Sequence, residues 1–223
     1  MIKIILLVKR NSGIPVADFQ SYWLEKHGPL VKKVAGIKRY VQSHALPQGY
    51  AKGELIYDGI AELWFDSQES YAAARATPEW LAVQKDGDTF RDRSKMVVMP
   101  VDVHVIIDGK IPDNAVKNIE FVNRRADLEL KKFRDYWRNH HGPLATKIPS
   151  IRRYEQNHLS DAGYQGDTPP LYDGLAITWF TSTAEMRSGA TTPGYAAIRA
   201  DEPNFVAPGH LPIILTREHV VVG

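Results

Sequence analysis

A block of this sequence occurs twice. Phe19, Tyr22, Trp23, His27, Gly28, Pro29, Leu30, Lys33, Ile37, Arg39, Tyr40, Gln42 and His44 recur, each 114 residues further on, as Phe133, Tyr136, Trp137, His141, Gly142, Pro143, Leu144, Lys147, Ile151, Arg153, Tyr154, Gln156 and His158. After one inserted residue the separation becomes 115, pairing Tyr57-Asp58-Gly59 with Tyr172-Asp173-Gly174, Trp64-Phe65 with Trp179-Phe180, Pro78 with Pro193, Phe90 with Phe205 and His104 with His219. Two copies of one unit therefore fill the 223 residues, so the fold must be one that half of the chain can build and then build again. The polar, turn-rich stretch Asp108-Gly-Lys-Ile-Pro-Asp-Asn114 marks the join. The expected domains are residues 1–108 and 114–223.

Within one copy, Lys3 to Lys9 is a short run rich in Ile, Leu and Val, the signature of a buried strand. Pro15 suits the first turn of a helix, and Phe19, Tyr22, Trp23 and Leu30 follow at helical spacing. Gly28-Pro29 is expected to end that helix, which places His27 at its C-terminus, where the macrodipole favours the imidazolium. Gly36 to Ala45 reads as a second strand and Gly59 to Phe65 as a third. Ser67 to Phe90 contains helical segments broken near Pro78, and Met96 to Ile107 reads as a fourth strand. The order is β-α-β-β-α-β, so the fold class is α+β with two ferredoxin-like units. Helices on one face of such a sheet leave the other bare, and two sheets set face to face would cover each other as a fused dimeric α/β barrel, with room between them for a small apolar ligand.

Composition removes several classes of function. The absence of cysteine excludes a disulfide framework, a thiolate nucleophile and an iron–sulfur cluster held by this chain. A net charge of +2, from 28 Lys and Arg against 26 Asp and Glu, offers no field for nucleic acid or an anionic membrane. Basic doublets such as Lys32-Lys33 and Arg152-Arg153 read as solvated surface. The longest early apolar run, Ile4 to Val8, is too short for a membrane span or a secretory signal, so a cytoplasmic location is expected. Phosphate-cradling glycine patterns, nucleophile elbows and paired metal-ligand histidines are missing. The expected partner is a hydrophobic small molecule bound without metal or cofactor, and pairing into a homodimer is compatible with the unit.

Histidine carries the chemistry that is left. Six of the eight fall at repeat-equivalent positions, as His27/His141, His44/His158 and His104/His219. Tyr40, Gln42 and His44 share one strand face as a polar and aromatic stripe, facing either solvent or a pocket. If they face a pocket, Tyr40 can donate to a carbonyl or enolate oxygen while His27 or His44 moves the proton. Glu62 breaks the symmetry, because the second copy has Ile177 there, and a carboxylate between Ala61 and Leu63 is costly to bury alone. Asp58 and Asp173 read as turn residues. Trp64 and Trp179, large aromatics at strand ends, read as core.

The Phe-x-x-Tyr-Trp-x-x-x-His-Gly-Pro-Leu run, the Arg-Tyr-x-Gln-x-His strand and the Tyr-Asp-Gly-x-Ala-x-x-Trp-Phe strand resemble the EthD family of the dimeric α/β barrel superfamily, in both halves of the chain. The family is named after a protein of ether degradation and is similar to a methylmuconolactone isomerase, and its wider relatives include polyketide cyclases, decarboxylases, cofactor-free monooxygenases and haem-degrading enzymes. The resemblance puts His27 and Tyr40 on the isomerase's catalytic positions and a Glu, here Glu62, on the strand. It implies a cofactor-independent lyase or isomerase acting by proton transfer on an aromatic, lactone or polyketide-like molecule. The alternatives are a cofactor-free monooxygenase of phenolic or quinol-like compounds and a non-enzymatic binding protein. The expected catalytic set is His27, Tyr40, His44 and Glu62. Gln42, Trp64, His104, His141, Tyr154 and His158 are expected to bind substrate, the second copy completing the pocket wall.

Overall fold

The apolar run at the start of the chain forms β1 (Ile2–Val8). It is followed by α1 (Val16–Tyr22), α2 (Gly28–Val31), β2 (Arg39–Ala45), β3 (Gly59–Phe65), α3 (Gln68–Arg75), α4 (Pro78–Phe90) and β4 (Val97–Ile107). The second copy supplies β5 (Val116–Val122), α5 (Leu130–Tyr136), α6 (Gly142–Leu144), β6 (Arg153–Leu159), β7 (Gly174–Phe180), α7 (Thr183–Gly189), α8 (Pro193–Asp201) and β8 (Ile213–Val222). This computed structural model describes residues 1–209 and 211–223. The fold is mixed α+β, and every strand pairing named below is antiparallel.

The chain forms two compact units, Met1–Pro100 with Thr216–Gly223, and Val101–Leu215. In the first, the strands run β1-β3-β2-β8, with Ile5 opposite Glu62, Tyr40 opposite Leu63 and His44 opposite Arg217. In the second they run β5-β7-β6-β4, with Ile119 opposite Ile177, Tyr154 opposite Thr178 and His104 opposite Gln156. The closing strand of the second repeat therefore adds to β2 of the first, and the closing strand of the first adds to β6 of the second. These two strands have 11 and 10 residues, where the other six have seven. The compact units and the sequence repeats are thus not the same segments.

One face of each sheet packs on its helices. In the first unit Ile4, Leu6, Phe19, Trp23, Tyr40, Leu63, Trp80 and Phe90 share a core there; in the second, Phe133, Trp137, Tyr154 and Phe205 do so. Each such side chain contributes about 1.5–3 kcal/mol by leaving water. The break near Pro78 is a cap: the Thr77 hydroxyl accepts from the Trp80 N–H at 3.2 Å, and Pro78 takes the first helical position, where a missing N–H costs nothing.

The helix carrying His27 does not stop at Gly28-Pro29. It widens into a π-helical turn over Trp23–His27 and resumes as α2, with Gly28 at φ −52° in the ordinary right-handed region. The wide turn makes Pro29 one of the first residues of a new helical stretch, so the ring replaces no hydrogen bond. His27 is consequently mid-helix, and the helix-end macrodipole expected to favour its imidazolium does not act on it. The second repeat repeats this turn at Trp137–His141.

Candidate functional site

The π-turn is gripped from below by β2. Gln42 donates from Nε2 to the Trp23 carbonyl at 2.9 Å and to the Tyr40 hydroxyl at 3.0 Å, while its Oε1 meets His44 Nε2 at 2.9 Å. Trp23 lies flat on His44, centroids 4.6 Å apart, and its indole N–H donates to the Tyr40 hydroxyl at 3.2 Å. The stripe Tyr40-Gln42-His44 therefore faces the helices and is buried, so neither solvent nor a bare pocket explains its polarity. Gln156, His158, Trp137 and Tyr154 repeat the network, with Gln156 Nε2 at 2.7 Å from the Trp137 carbonyl and 3.1 Å from the Tyr154 hydroxyl. Since the phenol oxygen of each tyrosine accepts from both an indole and an amide, its own proton is left to be donated elsewhere. Burial pushes Tyr40 up to about 12 and Tyr154 higher still, so both are protonated donors.

Gly59 and its equivalent follow from the same indole. A Cβ on Gly174 would sit 2.7 Å from Trp137 Cζ3 and 2.6 Å from the Asn157 carbonyl oxygen, and one on Gly59 would meet Trp23 and Ser43 in the same way. Asp58 and Asp173 do more than turn the chain: Asp58 is fully buried and takes the Arg10 N–H at 2.8 Å and the Tyr50 hydroxyl at 2.6 Å, as Asp173 takes Arg124 and Tyr164.

Each repeated histidine in the π-turn has a carboxylate partner that the motif did not contain. His27 Nδ1 is 2.7 Å from Asp86 on α4, and His141 Nδ1 is 2.8 Å from Asp201 on α8. The other oxygen of each aspartate accepts from a tyrosine, Tyr22 or Tyr136, at 2.7 Å. Asp86 and Asp201 are themselves separated by 115 residues, the signal that would have revealed them. The aspartate holds the imidazole with Nδ1–H as donor and leaves Nε2 as the reactive nitrogen. Burial drives Asp201 upward, but bonds from Tyr136, His141 and Asn204 outweigh it and hold the carboxyl below its usual range.

The two copies differ in what stands in front of this dyad. In the second repeat a cavity of about 210 Å³ opens between the sheet and the helices, with His141, Tyr154, Asn118, Glu120, Thr178, Arg199 and Glu202 among apolar walls of Ile148, Ile151, Phe180, Met186 and Ile198. An apolar cavity of about 150 Å³ admits benzene, so this one is large enough for a substituted ring. The matching space beside His27 and Tyr40 is about 20 Å³. It is closed by Trp80, Leu6 and Leu63, which stand where the second repeat has Tyr195, Glu120 and Thr178. Arg91 finishes the closure: its guanidinium lies where a side chain on Gly87 would begin, and at the equivalent positions the second copy has Glu202 for the glycine and Val206 for the arginine. The described cavity thus lies on the helix side of the second unit's sheet.

The remaining expected residues are spread out. Glu62 is buried on the opposite face of β3 from Ala61 and Leu63, paired with Lys3 Nζ at 2.7 Å and accepting from Ser43 Oγ at 3.3 Å, so it does not meet His27 or Tyr40. Trp64 is on that same far face, with Lys3 Nζ 4.8 Å and Arg39 5.6 Å from its ring. His104 packs edge-on against His158 of the second unit at 4.6 Å, and His219 against His44 at 4.5 Å, an exchange that follows from the strand pairing. Glu120 and Glu202, which sequence reasoning passed over, share Arg199: its Nη1 is 2.7 Å from Glu202 and 3.5 Å from Glu120. Burial pushes Glu202 up to about 7, with Glu120 adding to the rise, and burial pushes Glu120 up as well. Among the described residues no three His, Asp or Glu side chains converge as metal ligands, and no helix is long and apolar enough to cross a membrane.

Burial lowers six histidines: His27 to about 4, His44 and His158 to about 3, and His104, His141 and His219 below the ordinary imidazole value. Because these folded-state values lie below the unfolded one near 6.5, stability is complete above that pH and falls as the pH drops toward the folded values. Glu120 and Glu202, raised in the fold, oppose this below pH 7, two groups against six. Urea midpoints are expected to fall between pH 7 and 5, at most about 1.4 kcal/mol per pH unit for each histidine. A His44→Asn, His158→Asn double variant should show a flatter dependence. An unchanged slope would mean those rings are not buried neutral.

A comparison with curated protein sequences finds no match. Solved structures with the same fold include an anthrone oxidase-like protein, at 9% identity over 100% of this chain and 94% of that one, TM-score 0.65. A provisionally assigned monooxygenase from Lactobacillus acidophilus NCFM is similar over 98% of this chain and 94% of its own, at 13% identity and TM-score 0.60. A heme-binding protein from Thermus thermophilus covers 97% and 90%, at 13% identity and TM-score 0.54. Likeness at such identities shows a shared fold. The model of the EthD domain matches residues 11–94 and again 125–209, and the chain belongs to the EthD family as a tandem of two such domains.

Proposed function

We propose that the cavity of the second repeat is the active site of an acid–base enzyme that deprotonates a phenolic or enolisable ring compound and then lets the resulting carbanion react with dioxygen. In this reading residues 1–108 and 114–223 are two copies of one domain, of which the second does the chemistry. The observation that carries it is the convergence of the His141–Asp201 dyad and the unspent Tyr154 proton on one ring-sized cavity. His141 Nε2 takes the proton, Asp201 stabilises the imidazolium, and Tyr154 donates to the oxygen on which charge develops. For a methylene flanked by aromatic rings, the balance is CH2 + O2 → C=O + H2O: the carbon loses both hydrogens, one oxygen atom stays as the carbonyl and the other leaves as water. Kinship in fold with an anthrone oxidase-like protein and a provisionally assigned monooxygenase supports oxygenation as the second step.

A lyase or isomerase shares the first step and returns the proton to a different atom. Glu202, pushed up to about 7 in the same cavity, is the group that favours this second reading. Incubation with anthrone-type and phenolic compounds, with and without oxygen, separates them. The expected result is one O2 consumed per product, with Tyr154→Phe turning over about a hundredfold more slowly, the scale for losing one aimed donor. Product formed equally well under argon would establish the lyase or isomerase instead, and tight binding without turnover would make the protein a binder.

A further inference from the structure

Three polar groups in the second-repeat cavity have no part in moving the substrate's proton. Asn118 and Glu120, alternate residues of β5, stand on the helix side of the sheet where the first repeat has the core residues Ile4 and Leu6. Arg199 stands where the first repeat has Gln84. Polar groups at core positions cost free energy unless something bonds them. Asn118 Oδ1 is buried with no hydrogen-bond partner among the described residues, and its Nδ2 reaches Thr178 Oγ1 only at 3.5 Å. Of the two arginines lining the cavity, Arg187 is exposed, and the Arg199 guanidinium is already taken by two carboxylates.

We propose that this wall selects an uncharged ring compound bearing a second hydroxyl group, which donates to Asn118 Oδ1, and excludes ligands that bear a carboxylate. A hydroxyl supplies the bond that Asn118 lacks, and a site with an unfilled acceptor discriminates strongly against an analogue without the donor. A ligand carboxylate would instead enter beside Glu120 and Glu202 in a poorly solvated space, with Arg199 unable to serve it without giving up its present partners. The inference rests on the cavity being the ligand site, as proposed above, and not on the reaction performed there.

The test is equilibrium binding under argon, read by calorimetry, of 1,3-dihydroxynaphthalene, 1-naphthol and 1-hydroxy-2-naphthoate to the full chain. The diol is expected to bind at least about tenfold more tightly than the naphthol, and the naphthoate not measurably. Asn118→Ile, which installs the first repeat's own residue, should erase the preference for the diol. Glu120→Gln should keep that preference and admit the naphthoate, an independent reading if the first variant folds poorly. Equal affinity for diol and naphthol, tighter binding of the naphthoate, or no binding of any of the three would overturn the proposal. A clear diol preference with no oxygen uptake would leave it standing and remove the oxygenation.

Discussion

Replacing His141 by alanine is expected to lower turnover by about a hundredfold or more, the usual scale for a general acid or base, while His27→Ala stays close to the parent protein. Both imidazoles lie in the same π-turn and hold the same kind of aspartate, so residue type does not separate them. Space does: His141 faces a cavity of about 210 Å³, and His27 one of about 20 Å³ closed by Trp80 and Arg91. Charge separates them less: after burial, which dominates in both, and the opposing aspartate bonds, Arg91 disfavours a proton on His27 as Arg199 does on His141. Asp201→Asn keeps an acceptor for Nδ1–H but removes the negative charge, so the acid limb of the rate profile should move to lower pH. Stopped assays across pH on the three variants, with urea midpoints measured alongside, decide the matter. Activity lost in His27→Ala and kept in His141→Ala, at equal stability, would place the working site in the first repeat.

That ranking inverts what the two halves suggest when only Glu62 and Ile177 are compared. The repeated motif made the helices, the strands and the Tyr40-Gln42-His44 stripe legible, because periodicity and recurrence both report local geometry. It also marked His141 and Tyr154, though as wall residues. Which copy is open was written in other pairs: Leu6 against Glu120, Trp80 against Tyr195, and the coupled exchange of Gly87 and Arg91 for Glu202 and Val206. Each of these looks ordinary alone, since an arginine or glutamate near a helix end is usually solvated. Only the packing shows Arg91 folded back over Gly87, a space that exists because the first repeat has no side chain where the second has Glu202. The partner of each closing strand was illegible for a related reason: alternation along β4 and β8 fixes which residues share a face, and says nothing about which neighbour they bond. Glu62 shows the limit from the other side, because a carboxylate expected near His27 is satisfied by Lys3 across the opposite face.

Trp137→Ala is expected to cost about 3–5 kcal/mol of stability, the range for deleting a buried large aromatic side chain, and to remove most activity in whatever protein remains folded. The indole is 1% exposed, lies parallel to His158 at 4.4 Å and fills the hollow that Gly174 leaves open. Its loss would leave a cavity that backbone cannot collapse into, because the strand and the π-turn on either side are held by Gln156. It would also free the Tyr154 oxygen of one of its two donors, so the hydroxyl would no longer be committed to the cavity. Trp137→Phe separates the effects: most of the packing survives and the N–H does not, so the stability loss should be smaller than for alanine while turnover still drops. The comparison that isolates function from fold is Trp23→Ala, the same residue in the first repeat, equally buried and stacked on His44. It should lower the urea midpoint by a similar amount, and below the transition it should leave the rate per folded molecule nearly unchanged. Equal loss of rate in Trp23→Ala would mean that the closed first repeat takes part in catalysis after all.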